Sequence, residues 1–306
     1  MARAHDETGT GIPPADPRWI DENGAEIDED HRGLTYDIRT LIDRRRALGI
    51  FGGVGLTSLL AACGIADDPA STAASQAASP GSAGASASPS ATDAAGGGAV
   101  DEVPDETAGP YPGDGSNGVN VLDDSGIVRS DIRSAFGTSS VVAEGLPLTI
   151  RLTVRDAATG SALAGAGVYL WHCDRDGNYS LYSPGLEDVN YLRGVQATDD
   201  SGTVTFTSIY PACYSGRWPH IHFEVYADVE NAVASGPIVK TSQIALPEEA
   251  NAAVYATAGY EQSVRNVARV SLASDNVFGD DGGIHQVASM SGSASTGYTA
   301  ALTIGV

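Results

Sequence analysis

The sequence has little positive charge. Its 306 residues include 17 Lys and Arg against 39 Asp and Glu, which gives a net charge of −22, and Lys240 is the only lysine. A nucleic-acid-binding surface needs a stripe of Lys and Arg to neutralise phosphates. No such stripe exists here, so nucleic-acid binding is disfavoured, and the widely spread acidic residues favour solubility instead.

The sequence also lacks a long apolar run of the kind that spans a membrane. Its clearest apolar stretch, within residues 43–64, is short and rich in glycine, and it follows three arginines. A charged region, an apolar region and then small residues is the order of an export signal. Arg44-Arg45 resembles a twin-arginine signal. The Leu-Ala-Ala-Cys sequence that ends at Cys63 resembles a bacterial lipobox, which would place a lipid on Cys63; the alternative is an ordinary cleaved signal with an incidental cysteine.

Three regions follow from composition. Residues 1–63 are predicted to be the export signal, with a long polar region in front of the arginines. Residues 64–100 are mostly Ala, Ser, Pro and Gly without apolar periodicity, so they cannot offset chain entropy by burial and predict a disordered tether. Residues 101–306 are the predicted folded domain. We therefore expect an exported, extracytoplasmic protein, either secreted or held at the membrane only by its N-terminal lipid.

Short strands dominate the predicted domain. Residues 148–156 and 203–209 alternate between apolar and polar side chains, as half-buried strands do. Further strands are predicted at residues 166–173, 220–227, 238–246, 283–292 and 297–306, and one helix at residues 247–258. Many short strands separated by turns predict an all-β protein with a β-sandwich core and few short helices.

The strand at residues 220–227 carries two histidines on one face. His220 and His222 share that face because side chains in a strand alternate with a period of two. Two such imidazoles could bind one metal ion, although for this pair alone the simpler interpretation is two surface histidines. Tyr179 and Tyr214 lie upstream in predicted loops, and most tyrosines serve packing rather than ligation.

Together these segments resemble the intradiol ring-cleavage dioxygenases, non-haem Fe(III) enzymes that open catechols between their two hydroxyl groups. The most specific part is Tyr-x5-His-x-His, which ends at His222, with Arg217 three residues before the first histidine. The resemblance covers roughly residues 107–246 and is carried by residues 106–111, 128–133, 168–182, 191–226 and 241–244. It implies the β-sandwich core of that family.

The resemblance implies four Fe(III) ligands, namely Tyr179, Tyr214, His220 and His222. Phenolate is a hard anionic donor that suits a hard trivalent cation, and the cation keeps the phenol deprotonated. Tyr214 is further implied to take up a proton from the substrate. Arg217 and Gln243 match catalytic pocket residues of the family, and a fixed guanidinium would stabilise developing negative charge.

The resemblance also implies the substrates, a small aromatic diol and O2, and a muconate-type diacid that contains both oxygen atoms. Pro110 and Tyr111 are expected either to line the pocket or to belong to the core. His172 and His285 have no role in the motif and are expected to be structural. Residues 65–100 cannot supply the long helical dimerisation segment of cytoplasmic catechol dioxygenases, which leaves the oligomeric state open. The alternative function is a lipoprotein that binds a metal or a wall polymer without turnover.

The sequence has only three cysteines. With Cys63 lipidated, Cys173 and Cys213 remain, and export favours oxidation. Both precede implied iron ligands, Tyr179 and Tyr214, which must meet at one ion. The sequence therefore predicts either a disulfide between Cys173 and Cys213 or two buried free thiols, and it favours neither.

Overall fold

The computed structural model describes residues 98–306. The predicted export signal, the lipidation of Cys63 and nearly all of the predicted tether lie outside these residues. The last residue of that tether is held by the domain, because the N–H of Val100 donates to the carbonyl of Ala157 at 3.0 Å. The ordered domain therefore includes the end of the segment predicted as a tether.

Within residues 98–306, eight strands form two sheets of four. The strands are β1 (Pro147–Arg155), β2 (Gly167–Trp171), β3 (Arg193–Ala197), β4 (Thr203–Ile209), β5 (His220–Tyr226), β6 (Ile238–Ala245), β7 (Ser289–Ser293) and β8 (Gly297–Gly305). The first sheet has the order β4-β1-β8-β7 and the second the order β3-β2-β5-β6. All neighbours are antiparallel except β1 and β8.

The main core lies between the two sheets. The apolar side of β1, which includes Ile150 and Leu152, packs in one cluster with Ile221, Phe223 and Val225 from β5. All five are at most 1% exposed. Each such side chain contributes roughly 1.5–3 kcal/mol when it is buried, so the alternating pattern of these two strands fixes which face of each strand points inward.

The outer face of the second sheet is also covered. Tyr169, Trp171 and Tyr226 on this face form a second cluster with Val121 and Leu122, which precede β1 in the chain. All seven residues of β5 are consequently buried. The alternative of two surface histidines on a polar strand face is therefore wrong, because a distant part of the chain packs over that face.

The helices of the described part of the chain are few and short, as predicted. They are α1 (Val229–Val233), α2 (Glu248–Tyr255), α3 (Glu261–Val267) and one turn of 3-10 helix (Leu272–Ser274). Within residues 98–306, no helix has the length and hydrophobicity needed to cross a bilayer. The predicted all-β sandwich with few short helices is confirmed.

Candidate metal centre

Four polar side chains converge on the covered face of the second sheet. Oη of Tyr214 lies 3.1 Å from Nε2 of His220, and the Nε2 atoms of His220 and His222 lie 3.1 Å apart. Oη of Tyr179 lies 3.3 Å from Nε2 of His222. Three of the four residues are buried, and Tyr214 is partly exposed. The structure thus brings together all four residues that the sequence predicted as metal ligands.

The histidines are held by the strand and by their neighbours. In the sheet, His222 lies between Trp171 of β2 and Gln243 of β6. The ring of Trp171 stacks on the His222 imidazole at 4.9 Å between centroids and 6° between planes. Nδ1 of His220 lies 2.6 Å from the carbonyl oxygen of Trp218, which can only accept. Nδ1 therefore carries the proton, and the Nε2 lone pair of His220 faces Oη of Tyr214 and Nε2 of His222.

The tyrosines come from two loops that touch. Two backbone N–H groups of the turn after β2 donate to the carboxylate of Asp174, and the N–H of Tyr179 donates to Oγ of Ser183 at 2.9 Å. Gly177 has φ of 93°, and a Cβ at this position would lie 3.2 Å from Cβ of Tyr214. A glycine here satisfies both the left-handed backbone and the close approach of the two loops.

Burial sets the protonation of the centre. It lowers the pKa of His220 and of His222 well below the ordinary value, with the charge of Arg217 acting in the same direction. Both imidazoles are therefore neutral and keep a lone pair for a metal. Burial raises the pKa of Tyr179 well above the ordinary value, a smaller contribution in the same direction comes from Tyr214, and Arg217 lowers it. A phenolate at this position needs a cation beside it.

The donor set fits a hard metal ion. Ligands about 2.1 Å from one ion, at angles between square and tetrahedral, lie about 3.0–3.4 Å apart. The observed separations of 3.1–3.3 Å fall in this range. Among the described residues, no group of three or more His, Cys, Asp or Glu side chains could hold a metal. The two tyrosines are therefore necessary to this set, and phenolate oxygen favours a hard, highly charged ion.

Arg217 and Gln243 stand at the edge of the centre. Both side chains are buried. Nη2 of Arg217 donates to Oε1 of Gln243 at 2.7 Å, and Nη1 lies 3.4 Å from Nε2 of His220. Nε of Arg217 donates to the buried carboxylate of Asp275 at 3.0 Å. Asp275 carried no signal in the sequence, because its partner precedes it by 58 residues and no motif surrounds it.

The segment that includes the predicted pocket residues lies beside the ligands. Gly109 has φ of 72°, and a Cβ at this position would lie 3.3 Å from Cε1 of His222. The ring of Tyr111 lies 4.9 Å from the ring of Tyr179, and Pro110 connects the two positions. Pro110 and Tyr111 are both partly exposed. They are therefore close enough to the centre to form a wall of it.

Arg193 is a second residue that the sequence reasoning missed. Its guanidinium is buried and donates to the carbonyls of Tyr111, Pro112 and Ser180 at 2.9, 2.7 and 3.0 Å. Ser180 directly follows the candidate ligand Tyr179. Arg193 thus ties the wall segment to the loop that carries Tyr179. The only sequence signal was its place inside one of the resembling segments, where an arginine is usually a surface residue.

The disulfide that the sequence left open is absent from the structure. Cys173 and Cys213 are both buried free thiols. The sulfur of Cys173 lies 3.8 Å from the carbonyl of Ala212, and the sulfur of Cys213 lies 3.4 Å from the carbonyl of Arg217. The two thiols are thus directed to different backbone carbonyls, and burial raises the pKa of both. The alternative of two buried thiols describes this structure.

His172 has the structural role expected of it. Its Nδ1 lies 2.7 Å from the carbonyl of Cys173, and its Nε2 lies 2.7 Å from Oγ of Ser208 on β4. It therefore links the two sheets as a neutral, buried imidazole. His285 is partly exposed and lies 3.8 Å from a carboxylate oxygen of Asp101.

Acid is expected to destabilise the fold through His172. Burial lowers its pKa from the ordinary 6.5 to about 4. The unfolded chain then binds this proton more tightly than the folded protein, so stability is full above about pH 6.5 and falls as the pH drops towards about 4. That difference corresponds to about 3 kcal/mol. His172→Gln should flatten the decline in unfolding free energy, measured in urea between about pH 7 and about pH 4.

His285→Gln is the control for this prediction, because it removes a partly exposed histidine and should leave the decline unchanged. A decline in His172→Gln as steep as that of the wild type would show that His172 does not contribute to it.

Three comparisons with known proteins relate this chain to dioxygenases. The family model "Dioxygenase" matches residues 138–221. Chlorocatechol 1,2-dioxygenase from Rhodococcus opacus is 35% identical over 25% of this chain and 37% of that protein. The enzyme of the same name from Pseudomonas putida is 37% identical over 27% of this chain and 38% of that protein. The chain thus spans just over a third of the length of these curated relatives.

A solved structure extends the likeness to the whole domain. The intradiol ring-cleavage dioxygenase from Tetranychus urticae is 25% identical, with a TM-score of 0.55 over 67% of this chain and 94% of that one. The family match includes three of the four converging side chains, Tyr179, Tyr214 and His220. The two-sheet fold, the matched segment and the dioxygenase relatives together support the intradiol ring-cleavage dioxygenase family for this chain.

Proposed function

We propose that this protein is a non-haem Fe(III) intradiol dioxygenase that cleaves a small catechol-type aromatic between its two hydroxyl groups. The product is a muconate-type diacid that takes up both atoms of O2. The observation that carries the proposal is the meeting of two phenols and two neutral imidazoles at 3.1–3.3 Å, next to a buried guanidinium. Bound Fe(III) would supply the Lewis acidity and redox chemistry that bring a catechol and O2 together.

The four ligands and their neighbours then divide the work. Tyr179, His220 and His222 are buried, and they would hold the ion. Tyr214 is partly exposed, so it is the phenol that would be placed to take a proton from an incoming catechol. A phenolate is a competent proton acceptor, because its conjugate phenol has an ordinary pKa of about 10.

Arg217 supplies positive charge that needs no rearrangement during the reaction. Its guanidinium is held by Asp275 and Gln243, and Nη1 faces the ligands. A preorganised donor in a buried site stabilises charge that develops on the substrate more effectively than water does. Gln243 also donates to the carbonyl of Thr107 at 2.9 Å, which fixes the orientation of its own amide.

Colour and product analysis test the proposal. The purified protein should contain iron and absorb visible light, because tyrosinate bound to Fe(III) does so. It should consume O2 with at least one member of a panel of catechol, hydroxyquinol, protocatechuate and larger plant-derived catechols. With isotopically labelled O2, both atoms should appear in a diacid. A colourless protein that binds zinc or copper and consumes no O2 would instead be the metal- or polymer-binding lipoprotein.

We also propose that the protein acts outside the cytoplasm, either anchored by a lipid on Cys63 or secreted. The proposal is supported by the order of arginines, apolar residues and Leu-Ala-Ala-Cys within residues 43–64. Membrane fractionation of the full-length chain and of Cys63→Ala is the test. Equal distribution of the two proteins would remove the lipid anchor from the proposal.

A further inference from the structure

Asp275 is a buried carboxylate that joins two distant parts of the backbone. Its side chain is 0% exposed. Oδ1 accepts the N–H groups of Val277 and Phe278 at 2.9 and 3.1 Å, and Oδ2 accepts the N–H of Trp218 at 2.7 Å. Oδ2 also accepts from Nε of Arg217 at 3.0 Å. The carboxylate is therefore fixed by backbone donors on both sides before it contacts the guanidinium.

The contacts of Arg217 are divided between the edges of its planar guanidinium. The edge formed by Nε and Nη2 faces Asp275, at 3.0 Å and 3.4 Å from its two carboxylate oxygens. Nη2 is also bound by Gln243. Nη1 is the nitrogen directed towards the candidate ligands, at 3.4 Å from Nε2 of His220. A guanidinium is rigid, so fixing one edge determines the direction of the other.

Asp275 also makes the burial of Arg217 possible. The Arg217 side chain is 6% exposed, and a buried charge is costly unless it is paired. The neutral isostere asparagine has one acceptor oxygen in place of two, so it could not accept all of these hydrogen bonds, and it would leave that charge uncompensated. The Asp275 carboxylate lies at the edge formed by Nε and Nη2, where it balances the charge of Arg217, and Nη1 can then face a substrate.

We infer that Asp275 is the positioning residue of this centre: it holds Arg217 by one edge so that the other edge meets the substrate. This rests on the proposed function, since only there does Arg217 act on a reacting molecule. Asp275 itself touches no candidate ligand among the contacts of the described residues; it acts through Arg217.

A double-mutant cycle on the iron-loaded, full-length protein tests the inference. Asp275→Asn should lower kcat by about tenfold to hundredfold, because the guanidinium loses its fixed direction. KM, iron content and the affinity for 4-nitrocatechol, followed by its visible absorbance, should change by less than about threefold. In an Arg217→Gln background, adding Asp275→Asn should change kcat by less than about twofold, because the residue through which Asp275 acts is already gone.

The control is Asp199→Asn. Asp199 also accepts backbone N–H groups, from Ser201 and Thr203, but it is exposed and lies in a turn between β3 and β4. This variant should keep wild-type kcat. Asp275→Glu retains the charge on a longer arm, so it should fold, keep its iron and recover only part of the rate.

The outcomes separate the inference from the proposed function. If the wild-type protein takes up no O2 with any catechol, the proposed function is wrong, and the result does not bear on the contact between Asp275 and Arg217. An active wild type whose Asp275→Asn variant is equally active, or whose losses multiply with those of Arg217→Gln, overturns the positioning role. If Asp275→Asn does not fold, full activity in Asp275→Glu overturns it in the same way, because the longer arm must move the guanidinium.

Discussion

Tyr214→Phe is expected to lose most of the turnover and to change or lose the visible absorbance of the iron-loaded protein. The substitution removes Oη, which lies 3.1 Å from Nε2 of His220, and leaves the ring in place. The proposed centre then loses one anionic ligand and the group that accepts the substrate proton. Loss of a proton acceptor alone costs about 10²–10⁴ in rate. O2 uptake, iron content and the visible spectrum measure the three effects separately.

Substitutions of the other three candidate ligands are expected to have a different effect from Tyr214→Phe. Tyr179→Phe, His220→Ala and His222→Ala remove buried ligands, so each should lower the iron content itself. Tyr298→Phe is a matched control, because Tyr298 belongs to β8 in the opposite sheet. It should keep iron, colour and turnover. A Tyr214→Phe protein with the wild-type spectrum and rate would show that Tyr214 is not a ligand.

The strands that border the main core could be predicted closely from the sequence. The predicted starts of β1 and β5 lie within one residue of the observed strands, and β4 has the predicted bounds. In β1 and β4 one face is buried and the other is less so, and this difference is what an alternating sequence records. β3 was not predicted, because it is short, begins with the buried Arg193 and has no apolar alternation.

The alternation of apolar and polar residues has limits, which two strands illustrate. These are the strand predicted at residues 283–292 and β5. β7 begins only at Ser289, since the residues before it form turns. In β5 the alternation correctly put His220 and His222 on one face, but it could not show that this face is buried. Burial there depends on residues such as Val121 and Leu122, which pack from about a hundred positions earlier in the chain.

The candidate site divides in the same way. The spacing of the two histidines follows from strand geometry, whereas Tyr179 and Tyr214 lie in loops and could be assigned only through the family resemblance. Asp275 was beyond both kinds of reasoning. It is a lone acidic residue among 39 Asp and Glu, and its importance arises from a contact with Arg217 that only the folded chain makes.

Arg217→Ala is expected to keep its iron and its colour, to shift colour when a catechol binds, and to turn over slowly. Arg217 is not among the four ligands, so the centre remains, while the charge that faces the substrate is lost. Losing one preorganised donor costs about 10²–10³ in rate. Because that charge acts on the reacting molecule, kcat should fall far more than KM rises. Arg175→Ala is the matched control. It removes the same charge at another place, because Arg175 pairs with the exposed Glu144 at 2.6 Å.

Arg217→Lys should recover only part of the lost rate. The guanidinium of Arg217 contacts Asp275 and Gln243 with one side, and its Nη1 faces His220 on the other. A lysine ammonium is a single point of charge, so it cannot hold one side and present the other. Near-normal turnover in Arg217→Ala would mean that the guanidinium serves only to hold Asp275 in the fold.

Asp275 allows a catalytic role of Arg217 to be distinguished from a structural one. Arg217→Ala leaves the buried carboxylate of Asp275 without its cation, and breaking a buried pair in this way destabilises a fold by about 3–5 kcal/mol. A slow enzyme could therefore reflect a disturbed fold rather than a lost catalytic charge. The double variant Arg217→Ala/Asp275→Asn removes both charges and should regain much of the thermal stability. We expect it to remain as slow as Arg217→Ala, because stability returns while the charge at the substrate does not; recovery of turnover together with stability would assign Arg217 a structural role alone.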